Sequence, residues 1–365
     1  MSTNRGSETI LSKELDTRKQ HLSSTPIKEE GVLQRLTRST AFWIFLIIIA
    51  MVTIFGILTP NNVFFRLETL FTIGLNASQM MILAVGVSYL LSAGEIDLSI
   101  GTNLILSSTL AAKTLKAVAG SPEQVMSGVY PHLTEAVIAG VLIAVASGAF
   151  FGFVNGLIVT RLRINSFIAT LGTMMAYWGT SLVLSWGAAE VGIPRALQIG
   201  FGHKKILDVI PLPLLVALVI SVILWIIMLT TRFGLHTCAI GSSQVSARRA
   251  GVNVDSHRMK LFILLGALAG IAGLFDLTRF ATTNPQGHQT DGLLAITAAV
   301  MGGTSMWGGI ASIGGAMLGT LIPVILQAGL VILRVGAFYQ LIGTGLFLIT
   351  AVYLDQRRRS HDTET

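Results

Sequence analysis

Residues 69–94 read TLFTIGLNASQMMILAVGVSYLLSAG, without a single Asp, Glu, Lys, Arg or His. A helix crosses the roughly 30 Å hydrocarbon layer of a bilayer with about 20 apolar residues, so this run predicts a membrane-spanning helix. Its neighbours read the same way. Ala41–Thr59 is uncharged, and Leu98–Ala112 is closed by Lys113 and Lys116. Ala136–Thr160, Ile164–Ala189 and Val209–Thr231 follow, then Leu261–Phe275, which ends at a charged turn around Asp276 and Arg279. Gly292–Leu333 is long enough for two spans broken near Gly302 and Gly308, and Val335–Leu354 closes the set. The expected fold is all-α, a polytopic transmembrane bundle of about ten helices.

Composition agrees. Hydrophobic residues make up 52% of the chain and charged residues 12%, against about 25% charged in soluble domains; mean hydropathy is +0.72. The apolar surplus needs lipid as its solvent. The net charge of +7 does not point to nucleic acid, because the basic residues stand in loops beside apolar runs, where they orient a chain in a membrane. Most of them fall in residues 1–40, the Arg161/Arg163 turn, the loop 232–260 and the tail with Arg357, Arg358 and Arg359. These segments share one side if N- and C-termini are both cytoplasmic, and an even number of spans requires the same. Residues 1–40 read as a cytoplasmic tail without a secretory signal, 41–355 as the membrane domain, and 356–365 as a second cytoplasmic tail. Cys238 is the only cysteine, so there is neither a disulfide framework nor a CxxC motif.

Small residues recur on helical stripes: Gly148, Gly152 and Gly156; Gly266 and Gly270; Gly315 and Gly319. In lipid, close backbone approach supplies much of the attraction between helices, so these stripes predict tight bundling. Catalytic signatures are missing. There is no phosphate-binding G-x-x-x-x-G-K-[ST], no HExxH and no GxSxG, and the histidines show no i, i+4 pair, so no metal or cofactor is expected on this chain. Glu95 and Asp97 stand at the mouth of the third run. Such acids mark ion paths or cap a helix, and Asp97, directly before Leu98, is read as a cap in a structural turn with Ser99 and Gly101. No acid is expected deep in a span, which counts against a transporter driven by an ion gradient.

Within 232–260, Ser242 or Ser243 can cap a short helix, Gly251 can end it in the left-handed conformation, and Ala247 and Ala250 keep one face small. The residues alone leave two readings open, a docking knob for a partner or an ordinary basic loop. Polar residues in two spans, Asn76 and Gln79 in the second and Asn165, Thr170 and Thr173 in the fifth, can line a solute path or hydrogen-bond between helices.

Five segments in register carry a resemblance: Gly94–Gly101, Asn155-Gly156 with Val159 and Asn165–Leu171, Ala239–Val254, Ala298–Gly309, and Phe338-Tyr339-Gln340. Over about residues 41–359 the chain resembles the permeases of ribose, xylose, arabinose and autoinducer-2 type ABC importers. The resemblance implies an inner-membrane permease for a small polar solute such as a monosaccharide or polyol. It implies a dimeric core formed with a second copy or paralogue, cytoplasmic ATPase subunits that hold ATP and Mg, and a periplasmic solute-binding protein. It also implies that Ala239–Val254, with Gly241, Ser243, Ala247, Ala250 and Gly251, couples to the ATPase. The chain departs from the pattern at Glu95, where a small residue is usual, at Ser242 in a segment that usually starts Gly-Gly-Asn, and at Gly292 and Leu294, where acids are usual. Branched-chain amino-acid permeases share the implied fold; the Ile96-Asp97-Leu98-Ser99 turn points to the sugar branch.

Overall fold

The computed structural model describes residues 40–346, 349, 350 and 353. The two tails, and part of the expected span Val335–Leu354, lie outside the described residues. The longer helices are α1 (Thr40–Leu58), α2 (Leu67–Ser92), α3 (Ile100–Ala119), α4 (Leu133–Thr160), α5 (Ser166–Ser185) and α6 (Leu212–Thr230). They are followed by α7 (Arg232–Ser242), α8 (Gln244–Arg249), α9 (Val254–Phe280), α10 (Asp291–Met301), α11 (Ile313–Gly319) and α12 (Leu321–Ile332). The strand content among the described residues is one two-residue antiparallel pairing, Lys205 with Pro211 and Ile206 with Ile210.

Among the described residues 7 helical segments are long and apolar enough to cross a membrane: α1, α2, α4, α5, α6, α9 and the run Ile313–Ile332 formed by α11 and α12. Three expected boundaries shift for stated reasons. The third helix runs to Ala119, because Lys113 and Lys116 do not end it; both pair with Glu190 of a later loop. The run Leu261–Phe275 lies inside the longer α9, whose ends are set by a cap at Asn253, accepting from the Ser256 amide at 3.1 Å, and by the left-handed Ala281. Gly292–Leu333 does not give two full spans, since α10 has only 11 residues.

The glycine stripes explain the core. Helices α4 and α9 make the most extensive pairing in the fold. A Cβ on Gly148 would collide with the Gly266 carbonyl, one on Gly152 with the Phe262 carbonyl, and one on Gly270 with the Ala144 carbonyl. The two stripes face each other at backbone contact, the geometry that gives helices their attraction in lipid. Gly315 and Gly319 similarly bring α11 against the carbonyls of Gly302 and Ala298. Helix α2 is the central element, buried over most of its length and packed on α9, α6 and α10. Large side chains of α4, α5 and α6 such as Leu142, Ile168 and Ile226 are exposed around it, as expected for a surface solvated by lipid.

Candidate functional site

Three polar features stand out in this apolar bundle, and α2 connects them. At its N-terminal half is a cavity of about 750 Å³ bounded by α2, the start of α10, α12 and residues 337–345. Its lining is mostly apolar, with Leu293, Val331, Ile332 and Leu341 among it, and its polar groups are Glu68, threonines, Asn76, Gln327 and Gln340. The volume holds several times a small polar solute and its waters, and amides and hydroxyls can exchange hydrogen bonds with such a solute.

Beside that cavity lies a cluster of charged groups. His288 places Nδ1 2.8 Å from Asp291 Oδ2 and Nε2 3.2 Å from Asp276 Oδ2. Gln79 Nε2 donates to Asp291 Oδ2 at 3.1 Å, and Arg279 donates to the Asn76 side-chain oxygen. Asp276 is 2% exposed and lies in α9 about one turn before its end, so the helix runs on through the charged turn at which the run Leu261–Phe275 was expected to stop. A hydropathy reading ends the run at the first charge, whereas the helix continues because that charge finds a partner twelve residues on. The i, i+3 pair His288/Asp291 was the available sequence signal. Among the described residues no group of three or more His, Cys, Asp or Glu is placed to hold a metal ion.

At the other end of α2 is the turn 93–99 that joins it to α3, buried although it carries two acids. Its backbone leaves the helical ladder, and buried polar backbone groups outside a ladder need substitute partners. Ser166 Oγ and Thr170 Oγ1 of α5 accept from the Ile96 and Leu98 amides at 3.3 and 3.1 Å. Asp97 Oδ1 accepts from the amide and the hydroxyl of Ser99, both at 2.7 Å. Asn155 of α4 donates to Asp97 Oδ2 at 3.1 Å and to Ser99 Oγ at 2.7 Å, and is itself reached by the Tyr177 hydroxyl at 3.1 Å. The expected cap at Asp97 is therefore corrected. Helix α3 starts at Ile100 with Ser99 as its N-cap residue, and the carboxylate closes a side-chain turn on Ser99 and ties it to α4. Gly101 lies where a Cβ would collide with the His288 carbonyl, so α3 begins against the charged cluster.

The expected path residues separate. Asn76 lines the cavity and Gln79 belongs to the charged cluster. Thr170 supports the turn, Thr173 donates to the Thr170 carbonyl at 3.3 Å, and Asn165 caps α5 by accepting from the Phe167 amide at 2.9 Å. Helix α5 packs chiefly on α3, not on α2, so the chain by itself does not bring the two sets to a common surface. Gln327 and Thr344 were not singled out from sequence, because isolated amides and hydroxyls in apolar runs carry no pattern.

The segment 241–251 also divides. Ser243 caps α8, accepting from the Ser246 amide at 3.2 Å. Gly251 follows at φ +85°, with Val252 N–H donating to the Ala247 carbonyl at 3.0 Å. The expected small face is corrected: Ala247 is buried against the bundle, while Ala250 is exposed with Val245, Arg248 and Arg249. Gly241 lies one element earlier, where a Cβ would collide with the Ser92 carbonyl and the Gly309 amide; it brings α7, the end of α2 and the break 302–312 to backbone contact.

Comparison with known proteins gives this arrangement a family. Residues 69–351 match the family model described as branched-chain amino acid transport system / permease component. The chain is 34% identical to a ribose import permease protein of Bacillus subtilis (strain 168), over 90% of this chain and 95% of that one. It is 32% identical to a D-allose transport system permease protein of Escherichia coli (strain K12), over 91% and 98%. With an L-arabinose ABC transporter permease protein of Azospirillum brasilense it shares 31% over 90% and 91%. No solved structure matches the chain significantly. With the family model covering most of its length and relatives aligned nearly end to end, the chain belongs to the family of permease components of binding-protein-type transport systems, as a multi-pass membrane protein.

Proposed function

We infer that this chain is the membrane-spanning subunit of an ATP-driven importer that moves a monosaccharide or related polyol across the inner membrane. The observation that carries the solute class is that relatives aligned over nine-tenths of the chain are named for ribose, D-allose and L-arabinose. The cavity is compatible with it: threonines, Asn76, Gln327 and Gln340 offer hydrogen bonds to hydroxyls from an otherwise mostly apolar wall. Family membership implies an ATPase and a solute-binding protein as partners, the first holding ATP and Mg.

With both ends cytoplasmic, as the basic residues indicate, the cavity faces the periplasm, where a binding protein releases solute, and α8 faces the cytoplasm, where an ATPase docks. In this reading Ser243, Ala247 and Gly251 give α8 its shape and its seat on the bundle, while Ala250, Val245 and Arg249 meet the partner. Gly241 holds the seat against α2. Asn76 contacts solute at the cavity, with Gln79 behind it. Because Thr170, Thr173 and Asn165 are engaged within the protomer, they maintain the turn 93–99 and the start of α5. A second permease copy or paralogue completes the path.

The test is uptake of labelled ribose, D-allose and L-arabinose into proteoliposomes containing the permease, its ATPase and its binding protein. Uptake of one of these sugars that requires ATP and survives an ionophore is expected. Uptake driven by an ion gradient without ATP would reject the reading, and ATP-driven uptake of leucine instead would reject the solute class.

A further inference from the structure

The α8 segment and the turn 93–99 are linked by charges that run from the surface into the bundle. Arg248, at the end of α8, donates to Asp255 Oδ1 in the first turn of α9 at 2.8 Å. The same oxygen lies 3.9 Å from Nη1 of Arg258, one turn further along. Arg258 then donates through Nη2 to Glu95 Oε1 at 2.6 Å. Side-chain exposure falls along this line, 55% at Arg248, 48% at Asp255, 14% at Arg258 and 5% at Glu95. The outer pair is hydrated and weak, as exposed ion pairs are. The inner pair is desolvated, and loss of either partner leaves a buried charge uncompensated.

We propose that Arg248, Asp255, Arg258 and Glu95 form an ionic relay that carries displacement of α8 into the turn 93–99. The proposal rests on the reading of α8 as the element an ATPase moves. Three features make the relay more than a static brace. First, the backbone between α8 and α9 passes through Gly251 at φ +85°, a residue without Cβ restraint, so the chain itself can swivel there and the side chains set the direction of motion. Second, Arg258 Nε is buried without a hydrogen-bond partner. An unsatisfied buried donor is costly, so this arrangement leaves room for a second one of the same groups in which that donor is paired. Third, the turn is where motion has consequences. Its amides are held by Ser166 and Thr170 of α5, its Asp97 by Asn155 of α4, and it opens directly into α3. A push on Glu95 therefore reaches three helices at once.

The experiment uses the full chain with its ATPase and binding protein in proteoliposomes and reads solute imported per ATP hydrolysed. E95Q keeps the side-chain volume and R258Q shortens the side chain; each removes one charge. Each is expected to lower that ratio about tenfold, the effect of about 1.4 kcal/mol, with the ATPase still bound. R248A, in the hydrated outer pair, is expected to lower it less, about two- to threefold. The exchange E95K/R258E is expected to recover most of the loss, which a general packing defect would not do. An unchanged ratio in both E95Q and R258Q would overturn the relay. If either single variant fails to accumulate, E95G/R258A removes both charges together; loose coupling there supports the relay and normal coupling overturns it. Hydrogen exchange at the amides of 93–99 gives a reading independent of transport. ATPase binding is expected to change it in the native chain, less in R248A, and least in R258Q. No change in the native chain overturns the relay, whereas ATP-independent uptake by the native chain overturns the importer reading and leaves this exchange result to stand on its own.

Discussion

Two interruptions of helix in this bundle solve one problem by different balances of side chain and backbone. The turn 93–99 carries two acids and is buried; the break 302–312 carries none and exposes Trp307 at 92%. Both expose backbone that lipid cannot solvate. In the first, side chains of other helices substitute for the lost ladder: Ser166, Thr170 and Asn155 reach in from α5 and α4. In the second, glycines also let backbones substitute for one another, beside Thr304 Oγ1, which accepts from the Ser312 amide at 3.2 Å, and Ser92 Oγ, which donates to the Ile310 carbonyl at 3.3 Å. Gly303, Gly308 and Gly309 take φ of +100°, +89° and +82°, Gly309 N–H donates to the Ser92 carbonyl at 2.9 Å, and Gly302 lies against Gly315. The two meet at Ser92. A polar turn can be rearranged by exchanging hydrogen bonds, whereas a glycine seam can only be packed or unpacked. The first suits an element that moves and the second an element that holds.

That contrast predicts a steep difference in tolerance. Gly315→Val should be the most damaging change, because its Cβ would meet the Gly302 carbonyl, which is backbone and cannot swing aside. Ordinary overpacking costs about 1–3 kcal/mol, and a collision with fixed backbone exceeds it. The expected outcome is loss of monodisperse protein on extraction. A G315V protein with native elution and melting would show that the seam is loose. Asn155→Ala should come next. It removes one donor from each of Asp97 and Ser99 while the space it leaves is small, and an acceptor left wanting in the interior costs about 1–3 kcal/mol, more when charged. The protein should insert but melt earlier, and N155D, which adds a second carboxylate, should be worse than N155A. The reverse order would mean that Asp97 is not the charged centre of the turn.

The sequence was informative about these regions in unequal measure. Glycine stripes were legible because i, i+4 spacing on a helix is a geometric statement, and Gly148, Gly152, Gly266 and Gly270 meet as that spacing requires. The caps at Ser243 and Gly251 were legible because capping is local. What failed was everything that depends on pairing across the fold. Asp276 looked like the end of a helix because its partner, His288, lies beyond a loop. Glu95 looked like an oddity because Arg258 is more than 160 residues away in sequence. Ala247 and Ala250 looked alike because no local rule says which side of a six-residue helix faces the bundle. Asn165 and Thr170 stayed open between a solute path and hydrogen bonding within the bundle, since an amide or hydroxyl in an apolar run shows polarity without showing what it bonds.

A milder test separates the two means of support within the polar turn. Thr170→Val keeps shape and removes the oxygen that accepts from Leu98 N–H. The net worth of one such bond is about 1 kcal/mol, so T170V should lower the melting temperature less than N155A. Hydrogen exchange should rise at Leu98 while residues 302–312 stay unchanged. A spread of faster exchange into the glycine break would mean that the two interruptions act as one unit through Ser92.

The smallest effect is expected where a charged tether faces solvent. Glu190 receives Lys113 at 2.8 Å on Oε1 and Lys116 on Oε2. Its amide donates to Thr283 Oγ1 at 2.9 Å. One side chain thus pins the segment 186–211 to the end of α3. Burial alone would raise this carboxyl, but hydrogen bonds and charge from the two lysines prevail and hold it below the ordinary carboxylate value. The sign follows. A folded-state value below the unfolded one contributes stability at neutral pH, and that contribution is lost as pH falls through the folded value. The lysines are 39% and 29% exposed, so solvent screens the pair and its worth stays near that of surface ion pairs, about 0.2–1 kcal/mol. Exchange of the amides around Lys204 and Lys205 should therefore be flat from pH 7 down to the usual carboxylate range, about 4, after correction for intrinsic rates, and rise below it. E190Q should show the raised exchange already at pH 7 and no further acid step. Because the charge lies far from both interruptions, neither change should alter exchange at 93–99 or at 302–312, and a response at either would show that the outer loop is coupled to the core of the bundle.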